Sequence, residues 1–247
     1  LYRTEQKPNQ LKLNSFMNFL SYKNMIKHKD NYNREDIKRV LRLLNNTKYQ
    51  KVYNNYLIRC MSKATFNSNN IGHYATGKKI YGMHTSPIRR GEDFINQHII
   101  LDYLNYGVEY TNMLWEDELE QLADHFTKKE VQAEKLEQIV LKNKLIENLH
   151  NYIGVSYNGI ISSVTNYGFY VEIDEMYEGL VNRNSLRGKM EYIDSILSYK
   201  DKTTNELYSL GDEVVIRIKN IEEDHIDFEL IDKVREVDNT LKKVRTR

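Results

Sequence analysis

Residues 71–100 are the most informative part of the chain and read IGHYATGKKIYGMHTSPIRRGEDFINQHII. Ser86 is a preferred N-cap residue, and Pro87 suits the first position of a helix, where a missing N–H costs nothing. We therefore predict a helix that begins at Ser86 and continues over residues 92–105. Because a helix start carries unpaired N–H groups and a partial positive charge, this one is predicted to face an anion such as phosphate.

Two arginines lie on the first turn of this predicted helix. Arg89 and Arg90 add positive charge and planar, forked donors that match phosphate oxygens. The chain has only two prolines, and one of them, Pro87, stands two residues before Arg89. The alternative is an ordinary capped helix with two surface arginines, and the local sequence alone does not distinguish the two interpretations.

This segment resembles the ribonuclease II and ribonuclease R family of exoribonucleases, the RNB family. In that family a Gly-His-aromatic element and a Tyr precede the sequence Thr-Ser-Pro-Ile-Arg-Arg/Lys, and an Asp follows three positions after the second basic residue. The matching residues here are Gly72-His73-Tyr74, Tyr81, Thr85 to Arg90, and Asp93. A Tyr-Arg…Pro lead-in to a helix, also typical of the family, is matched by Tyr2, Arg3 and Pro8, with Glu5 between them. The resemblance covers roughly residues 1 to 150 and continues into a second domain.

Composition sets further bounds. A chain of 247 residues suits one large or two ordinary domains. Its 36 Lys plus Arg against 35 Asp plus Glu leave a net charge of +1, so any basic surface for nucleic acid must be local. The single cysteine, Cys60, excludes an internal disulfide and suits a reducing compartment, so we expect a cytoplasmic protein. No apolar run approaches the ~18 residues of a membrane span, so we expect no membrane association.

Residues 1–152 show mainly helical periodicity, and by resemblance they form the C-terminal part of an RNB-type catalytic domain. Asn33 with Asp36 predicts a capped helix start, and Thr127-x-x-Glu130 predicts another, which would separate a helix over 115–126 from one over 127–149. The apolar positions at helical spacing, which we assign to the core, are Leu13, Phe16, Met17, Leu20, Ile37, Val40, Leu41, Leu44, Tyr49, Val52, Tyr53, Tyr56, Leu57 and Cys60.

Residues 153–233 change to the alternating pattern of short β-strands separated by Gly-containing turns. Their spacing, GIISSVTNYGFYVEI…EGLVN…LGDEVVIRI…HIDFEL, resembles the OB-fold RNA-binding domain named after ribosomal protein S1. The predicted fold class is therefore α+β, a mainly helical portion followed by a small five-stranded OB-fold barrel. Residues 234–247 are predicted to form a basic C-terminal tail.

The resemblance places two aromatic residues of the barrel, Tyr167 and Tyr170, on the face that binds RNA. Because strict alternation would split them between the two faces, a bulge or bend at Gly168 is required. Phe169 is a further candidate for RNA contact, and the alternative places it in the core. Arg183 is a candidate phosphate ligand, with solvation as its alternative, and Asn182 stands where the family often has His.

For the RNB-like portion the resemblance implies a division of roles. Arg89 would stabilise charge on the scissile phosphate and Arg90 would support it. RNA would contact His73, Tyr81, Thr85, Ser86 and Glu134, the last corresponding to a family glutamate near the terminal ribose. Glu130 and Glu137 lie on the same predicted helix and are alternatives to Glu134. Gly91 and Glu92 depart from the family, and Glu92 is expected to weaken anion binding.

Family members hydrolyse RNA with aspartates that hold Mg²⁺. The resemblance places those aspartates upstream of Leu1, so we expect Mg²⁺ to be held by residues outside this chain, and we predict no metal ligand within it. The acidic run Glu116–Asp124 reads as a solvated helix start, and the histidines lack metal-ligand spacing. A start inside a family motif also predicts exposed apolar surface and poor solubility.

Three functions are consistent with these observations. The first is the C-terminal part of a Mg²⁺-dependent 3′-to-5′ exoribonuclease that releases nucleoside monophosphates. The second is a catalytically inactive homologue that binds RNA or acts as a scaffold. The third is a helical domain fused to an OB-fold with an unrelated role, such as RNA binding in translation. We expect single-stranded RNA as the partner and a monomeric protein.

Overall fold

The computed structural model describes residues 1–174, 176–222 and 225–234. By contacts the chain divides into two compact units, the first formed by Leu1–Gln10 with Arg59–Leu141 and the second by Leu11–Ile58 with the residues from Lys142 onward. The domain boundaries predicted near residues 152 and 233 divide the chain into consecutive segments, unlike these units, and they stay predictions. The predicted tail, residues 234–247, lies outside the described residues except for Val234.

The described residues contain five α-helices and ten strands. The helices are α1 (Gln10–Tyr22), α2 (Arg34–Leu44), α3 (Gln50–Cys60), α4 (Gly91–Trp115) and α5 (Leu119–Leu149). The strands are β1 (Tyr2–Thr4), β2 (Thr65–Asn67), β3 (Ser156–Thr165), β4 (Gly168–Ile173), β5 (Tyr177–Asn182), β6 (Met190–Ile193), β7 (Ser198–Asp201), β8 (Leu207–Ser209), β9 (Glu213–Ile221) and β10 (Ile226–Lys233). No helix in these ranges is both long and apolar enough to cross a lipid bilayer.

Helix α4 begins at Gly91, so the predicted helix start at Ser86 is wrong. The carbonyl of Ser86 instead accepts the N–H groups of Arg89 and Arg90, at 3.3 and 3.1 Å, which closes a turn before the helix. Proline at position 87 fits such a turn as well as it fits a helix start. The helix that follows carries Glu92 and Asp93 in its own first turn, and these carboxylates already compensate its dipole.

Two further features of the helices in the first unit differ from the sequence patterns. Thr127 lies inside the continuous helix α5, where its hydroxyl accepts the Phe66 N–H at 3.0 Å, so the predicted capping box is wrong. Gly107 has φ 82° and ψ 177° and interrupts α4, and the Thr111 hydroxyl donates to its carbonyl at 2.8 Å. Much of α4 is apolar and exposed, as Leu101, Leu104 and Met113 illustrate.

The second unit contains α1–α3 and the barrel, and an aromatic cluster of α1 and α3 contacts the segment before β9 through Tyr53. The α1 side chains Leu13, Phe16, Met17 and Leu20 are fully buried, as their helical spacing predicts. Tyr53 of α3 meets Phe16 edge-on at 6.1 Å and its hydroxyl donates to the Leu210 carbonyl at 3.4 Å. Burial raises the pKa of Tyr53. The predicted capping box at Asn33 and Asp36 is confirmed.

Strands β3, β4, β5, β9 and β10 close into a five-stranded barrel in the order β10-β5-β4-β3-β9, which confirms the predicted OB-fold. All neighbours are antiparallel except β5 and β10, which pair in parallel. A separate three-stranded sheet, β6-β7-β8, lies between β5 and β9 in the chain and has no counterpart among the sequence predictions.

Gly168 is the tightest point of this barrel. Its φ is +154°, and a Cβ there would lie 2.3 Å from the Val181 carbonyl oxygen and 3.1 Å from Leu180 Cδ1. Backbone cannot yield to such an overlap without disturbing the β4–β5 ladder. Only glycine fits this position, and the bulge or bend predicted there stays a prediction, since β4 pairs with β5 in regular register from Gly168 onward.

Gly168→Ala is expected to lower the free energy of unfolding by about 2–4 kcal/mol, from strain and overpacking combined. Guanidinium unfolding followed by circular dichroism measures this loss. Gly154→Ala is the matched control, because Gly154 also has a positive φ (+88°) but has open space around its Cβ position, so about 1 kcal/mol is expected. Equal losses for the two variants would contradict the steric explanation.

Candidate functional site

The turn Thr85–Arg90 presents its central residues to solvent. The Ile88 side chain is fully exposed, at 102%, and Arg89 beside it is also exposed. Within the described part of the chain, the Arg89 guanidinium has neither a hydrogen-bond nor an ion-pair partner. The Arg90 side chain is only 30% exposed, and its Nη1 lies 4.0 Å from Oδ2 of the fully buried Asp93. The two adjacent arginines therefore occupy different environments.

Side chains of α4 hold the chain that leads into this turn. Asp93 Oδ2 accepts the Ser86 N–H at 2.8 Å, Asn96 Nδ2 donates to the Met83 carbonyl at 2.8 Å, and Gln97 Nε2 donates to the His84 carbonyl at 2.7 Å. Ser86 is half-buried and Thr85 is exposed. Glu92, expected beside the phosphate site, is buried at 8% exposure.

His73 and Tyr81, both predicted to contact RNA, lie together in the first unit. Their rings meet edge-on with centroids 5.1 Å apart, and Lys78 Nζ lies 5.0 Å from the Tyr81 centroid. Glu5 Oε2 accepts the Ala75 N–H at 2.8 Å and lies 2.8 Å from His73 Nδ1, close enough for an ion pair but without the alignment of a hydrogen bond. Sequence reasoning assigned Glu5 no role, since a pairing across 68 positions leaves no local pattern.

Two glutamates of α5, Glu130 and Glu134, are paired with basic residues from elsewhere in the first unit. Glu134 accepts from Lys63 Nζ at 2.5 Å, and both side chains are about half exposed or more, so this pair contributes little stability. Glu130 accepts from Arg3 Nη1 at 2.5 Å, where the arginine is 14% exposed and lies over the Phe66 ring. Which of the α5 glutamates meets a ribose stays a prediction.

In the barrel, the exposed Tyr167 and the half-buried Tyr170 form an aromatic pair. Their hydroxyl oxygens are 3.2 Å apart and their rings are perpendicular, with centroids at 6.3 Å. Tyr167 is 49% exposed and lies in the turn before β4. Because Tyr167 lies in the turn and not in β4, strand alternation does not separate it from Tyr170, and the contact between the two hydroxyl groups places both rings on one side.

Phe169 is not part of this face, and its prediction as an RNA contact is wrong. The ring is fully buried, lies parallel to Tyr208 with centroids at 6.0 Å, and contacts Tyr199 at 6.2 Å. In β4, Phe169 points into the barrel while Tyr170 points out. The alternative assignment of Phe169 to the core is therefore correct.

Arg183 and Asn182 lie directly beside the tyrosine pair. The Arg183 N–H donates to the Tyr167 carbonyl at 2.8 Å, while its exposed guanidinium reaches the Met190 carbonyl at 3.3 Å. Asn182 is exposed, and its Oδ1 accepts the Asn184 N–H at 2.9 Å. A groove of about 350 Å³ adjoins them and is lined by Leu180, Asn182, Asn184, Ser185, Lys219, Asp227 and Phe228. Exposed aromatic rings next to basic and polar groups are the surface that grips single-stranded nucleic acid.

Across the described ranges, one group of side chains has the spacing of possible metal ligands. It comprises Glu222, His225 and Asp227 at the β9–β10 connection of the barrel, with all ligand atoms within 4.8 Å of one another. His225 Nε2 lies 3.6 Å from Glu222 and 3.9 Å from Asp227, so these groups also form ion pairs when the histidine is protonated. The group is solvent-exposed to half-buried. It does not offer the set of aspartates expected to hold catalytic Mg²⁺.

Tyr167→Ala is expected to weaken binding of a single-stranded RNA about tenfold, because one base loses its stacking partner. Its free energy of unfolding is expected to change by less than about 0.5 kcal/mol, whereas Phe169→Ala is expected to lose about 3–5 kcal/mol. Fluorescence anisotropy and guanidinium unfolding measure the two effects. Tyr22→Ala removes a tyrosine of equal exposure (50%) from α1 and is the control; an equal loss of affinity there would contradict the assignment of the face.

Two protein families match the chain. Residues 1–106 match the RNB domain and residues 153–231 match the S1 RNA binding domain. Ribonuclease R 1 of Lactococcus lactis is 28% identical over 238 residues, which are 94% of this chain and 29% of that protein. The chain thus spans about a third of the length of the curated relatives it matches.

Solved structures share the fold. The apo form of Mycoplasma genitalium RNase R aligns with a TM-score of 0.82 at 23% identity, over 93% of this chain and 37% of that one. The structure of yeast Ssd1, a pseudonuclease, aligns with a TM-score of 0.59 at 18% identity, over 89% of this chain and 26% of that one. Residues 1–106 of this chain therefore form part of an RNB domain, and an S1 RNA binding domain follows them along the sequence.

Proposed function

We propose that this chain is the phosphate-binding and RNA-gripping part of a 3′-to-5′ exoribonuclease that hydrolyses single-stranded RNA to nucleoside monophosphates. The observation that carries the proposal is the exposed Arg89 guanidinium, which pairs with no described residue and lies on a turn whose approach is anchored by α4. The curated relatives are named Ribonuclease R, which supports the same activity.

The Arg89 guanidinium is suited to bind a phosphate of an RNA strand that moves past it. A guanidinium offers forked donors to phosphate oxygens, and a donor already in place needs no reorganisation when charge develops. Arg90 supports this role from behind, where it faces Asp93. His73 and Tyr81, in contact with each other, offer an aromatic surface on which a base stacks.

The barrel supplies the second grip. Tyr167, Tyr170, Asn182 and Arg183 lie on one exposed surface, so a strand of RNA would stack its bases there while the arginine neutralises its backbone. Mycoplasma genitalium RNase R, which shares this fold, has a structure in complex with ribose methylated single-stranded RNA. We propose the same class of partner here, with a monomeric protein acting in the cytoplasm.

Magnesium belongs to the proposal as a cofactor of the complete enzyme. The described residues do not fit it, since their one group of possible ligands is the exposed Glu222 with the half-buried His225 and Asp227 at the barrel. We therefore propose that Mg²⁺ is held by residues outside this chain, and we assign no step to the metal.

The second candidate is a catalytically inactive homologue that binds RNA. Two observations favour it. Gly91 and Glu92 depart from the usual residues after the arginines, and the pseudonuclease Ssd1 shares the fold. Incubation of this chain with 5′-labelled single-stranded RNA and Mg²⁺ tests the RNA grip, read by gel shift and product length together. Failure to bind would contradict both candidates, and shortening from the 3′ end would place metal ligands inside the chain.

Arg89→Ala in the complete polypeptide that contains this chain is expected to lower single-turnover hydrolysis at least about 100-fold, because a preorganised donor to the transition state is lost. RNA affinity should fall less than tenfold, since the other contacts remain. Arg39→Ala, which removes a 71% exposed arginine of α2, is the control. Unchanged hydrolysis in Arg89→Ala would contradict the phosphate role, and an inactive parent polypeptide would favour the second candidate.

A further inference from the structure

The two arginines of the turn differ in a way that their shared motif does not predict. Arg89 is exposed, whereas the Arg90 side chain is 30% exposed and faces the fully buried carboxylate of Asp93. A phosphate arriving from solvent therefore meets Arg89, and Arg90 faces a negative charge of the protein.

One row of side chains on α4 holds the two arginines in these different environments. Asp93, Asn96 and Gln97 stand at i, i+3 and i+4, so they share one face of the helix. Each bonds a different backbone group of the approaching chain, namely the Ser86 N–H, the Met83 carbonyl and the His84 carbonyl, at 2.7 to 2.8 Å. We call these three residues the α4 clamp. They fasten residues 83–86 to the helix and leave the exposed part of the turn to project from it.

Asp93 is the member of the clamp with two functions. Its Oδ2 accepts the Ser86 N–H and faces Arg90, while its Oδ1 is buried and without a hydrogen-bond partner among the described residues. A buried carboxylate is unfavourable unless it is hydrogen-bonded and paired with a cation. The nearby guanidinium of Arg90 meets this need, which keeps Arg90 at the protein.

We propose that Asp93 is a positioning residue: with Asn96 and Gln97 it fixes the turn and retains Arg90, so that Arg89 alone is presented to an RNA phosphate. The inference rests on the proposed phosphate role of Arg89. It extends that role by assigning the neighbouring arginine to the protein and not to the substrate. It also gives a function to Gln97.

A double-mutant cycle tests the coupling between the clamp and Arg89. The affinity of the full chain for a fluorescein-labelled single-stranded RNA is measured by anisotropy over a range of KCl concentrations. Arg89→Ala is expected to weaken binding about fivefold and to reduce the salt slope by about 0.7, the value for one phosphate contact of a single strand. Asp93→Asn is expected to produce a smaller loss in the same direction. The variant carrying both changes should match Arg89→Ala alone.

A merely structural role of Asp93 would give a different pattern. If Asp93→Asn disturbed the fold, it would lower the melting temperature. Its loss of RNA affinity would then add to the loss caused by Arg89→Ala, and the salt slope would not change separately. Glu109→Gln removes the same charge from an exposed position of α4 and is the matched control for Asp93→Asn. This control is expected to leave both affinity and salt slope unchanged.

Gln97→Ala provides a second variant in case Asp93→Asn fails to fold. It removes only the bond to the His84 carbonyl, whereas Asn96 also contacts Leu1 and is less suitable. An affinity loss of about twofold is expected, and it should vanish when Arg89 is already alanine. Asn105→Ala, an exposed position of the same helix, is its control.

The outcomes separate the two claims. If Arg89→Ala changes neither affinity nor salt slope, the phosphate role of Arg89 in the proposed function fails. If Arg89→Ala has its expected effect while both clamp variants bind RNA as the parent does, or if their losses simply add to it, the phosphate role stands and the positioning role of Asp93 is overturned.

Discussion

The hydrogen bond from the Ser86 N–H to the buried Asp93 carboxylate determines where α4 begins and what the preceding turn presents. Had Ser86 capped the helix, its amide would lie at the helix entrance and both arginines would sit on the first helical turn. Instead the helix starts at Gly91, and a Cβ at that position would lie 2.6 Å from the Phe126 ring. The close packing of α4 on α5 at this glycine therefore sets the base from which the turn projects.

A comparable constraint organises the barrel. Gly168 lies between Tyr167, whose ring is exposed, and Phe169, whose ring is buried in the core, and a side chain at this position would overlap the backbone of β5. Phe169 stabilises the barrel through Tyr199 and Tyr208, and the flanking tyrosines remain available on the surface. The glycine that lets β4 approach β5 thus stands between the exposed ring and the buried one.

Sequence patterns predicted correctly those features that depend on residues close together in the chain. The Asn33 capping box and the α1 stripe involve residues three or four positions apart, and both are confirmed. The predicted helix start at Ser86 was wrong because Pro87 fits a turn and a helix start alike. The predicted capping box at Thr127 was wrong because the Thr127 hydroxyl bonds Phe66, a residue distant in sequence. Resemblance identified Arg89, His73 and Tyr81, but neither resemblance nor spacing indicated that Asp93 is buried or that Glu5 lies against His73. Those features arise from contacts between segments whose pairing leaves no periodic pattern in the sequence.

The order of segments along the chain has a consequence for how the protein folds. The second unit joins Leu11–Ile58 to residues from Lys142 onward, so the first unit's segment Arg59–Leu141 is threaded between its two parts. Its core contact between Tyr53 and Leu210 spans 157 positions, and closing so long a loop carries a large entropic cost before the contact stabilises anything. During synthesis, α1–α3 emerge with their apolar stripes long before the barrel that covers them. The apolar stripes of these helices therefore stay uncovered by the barrel until almost the whole described chain has left the ribosome.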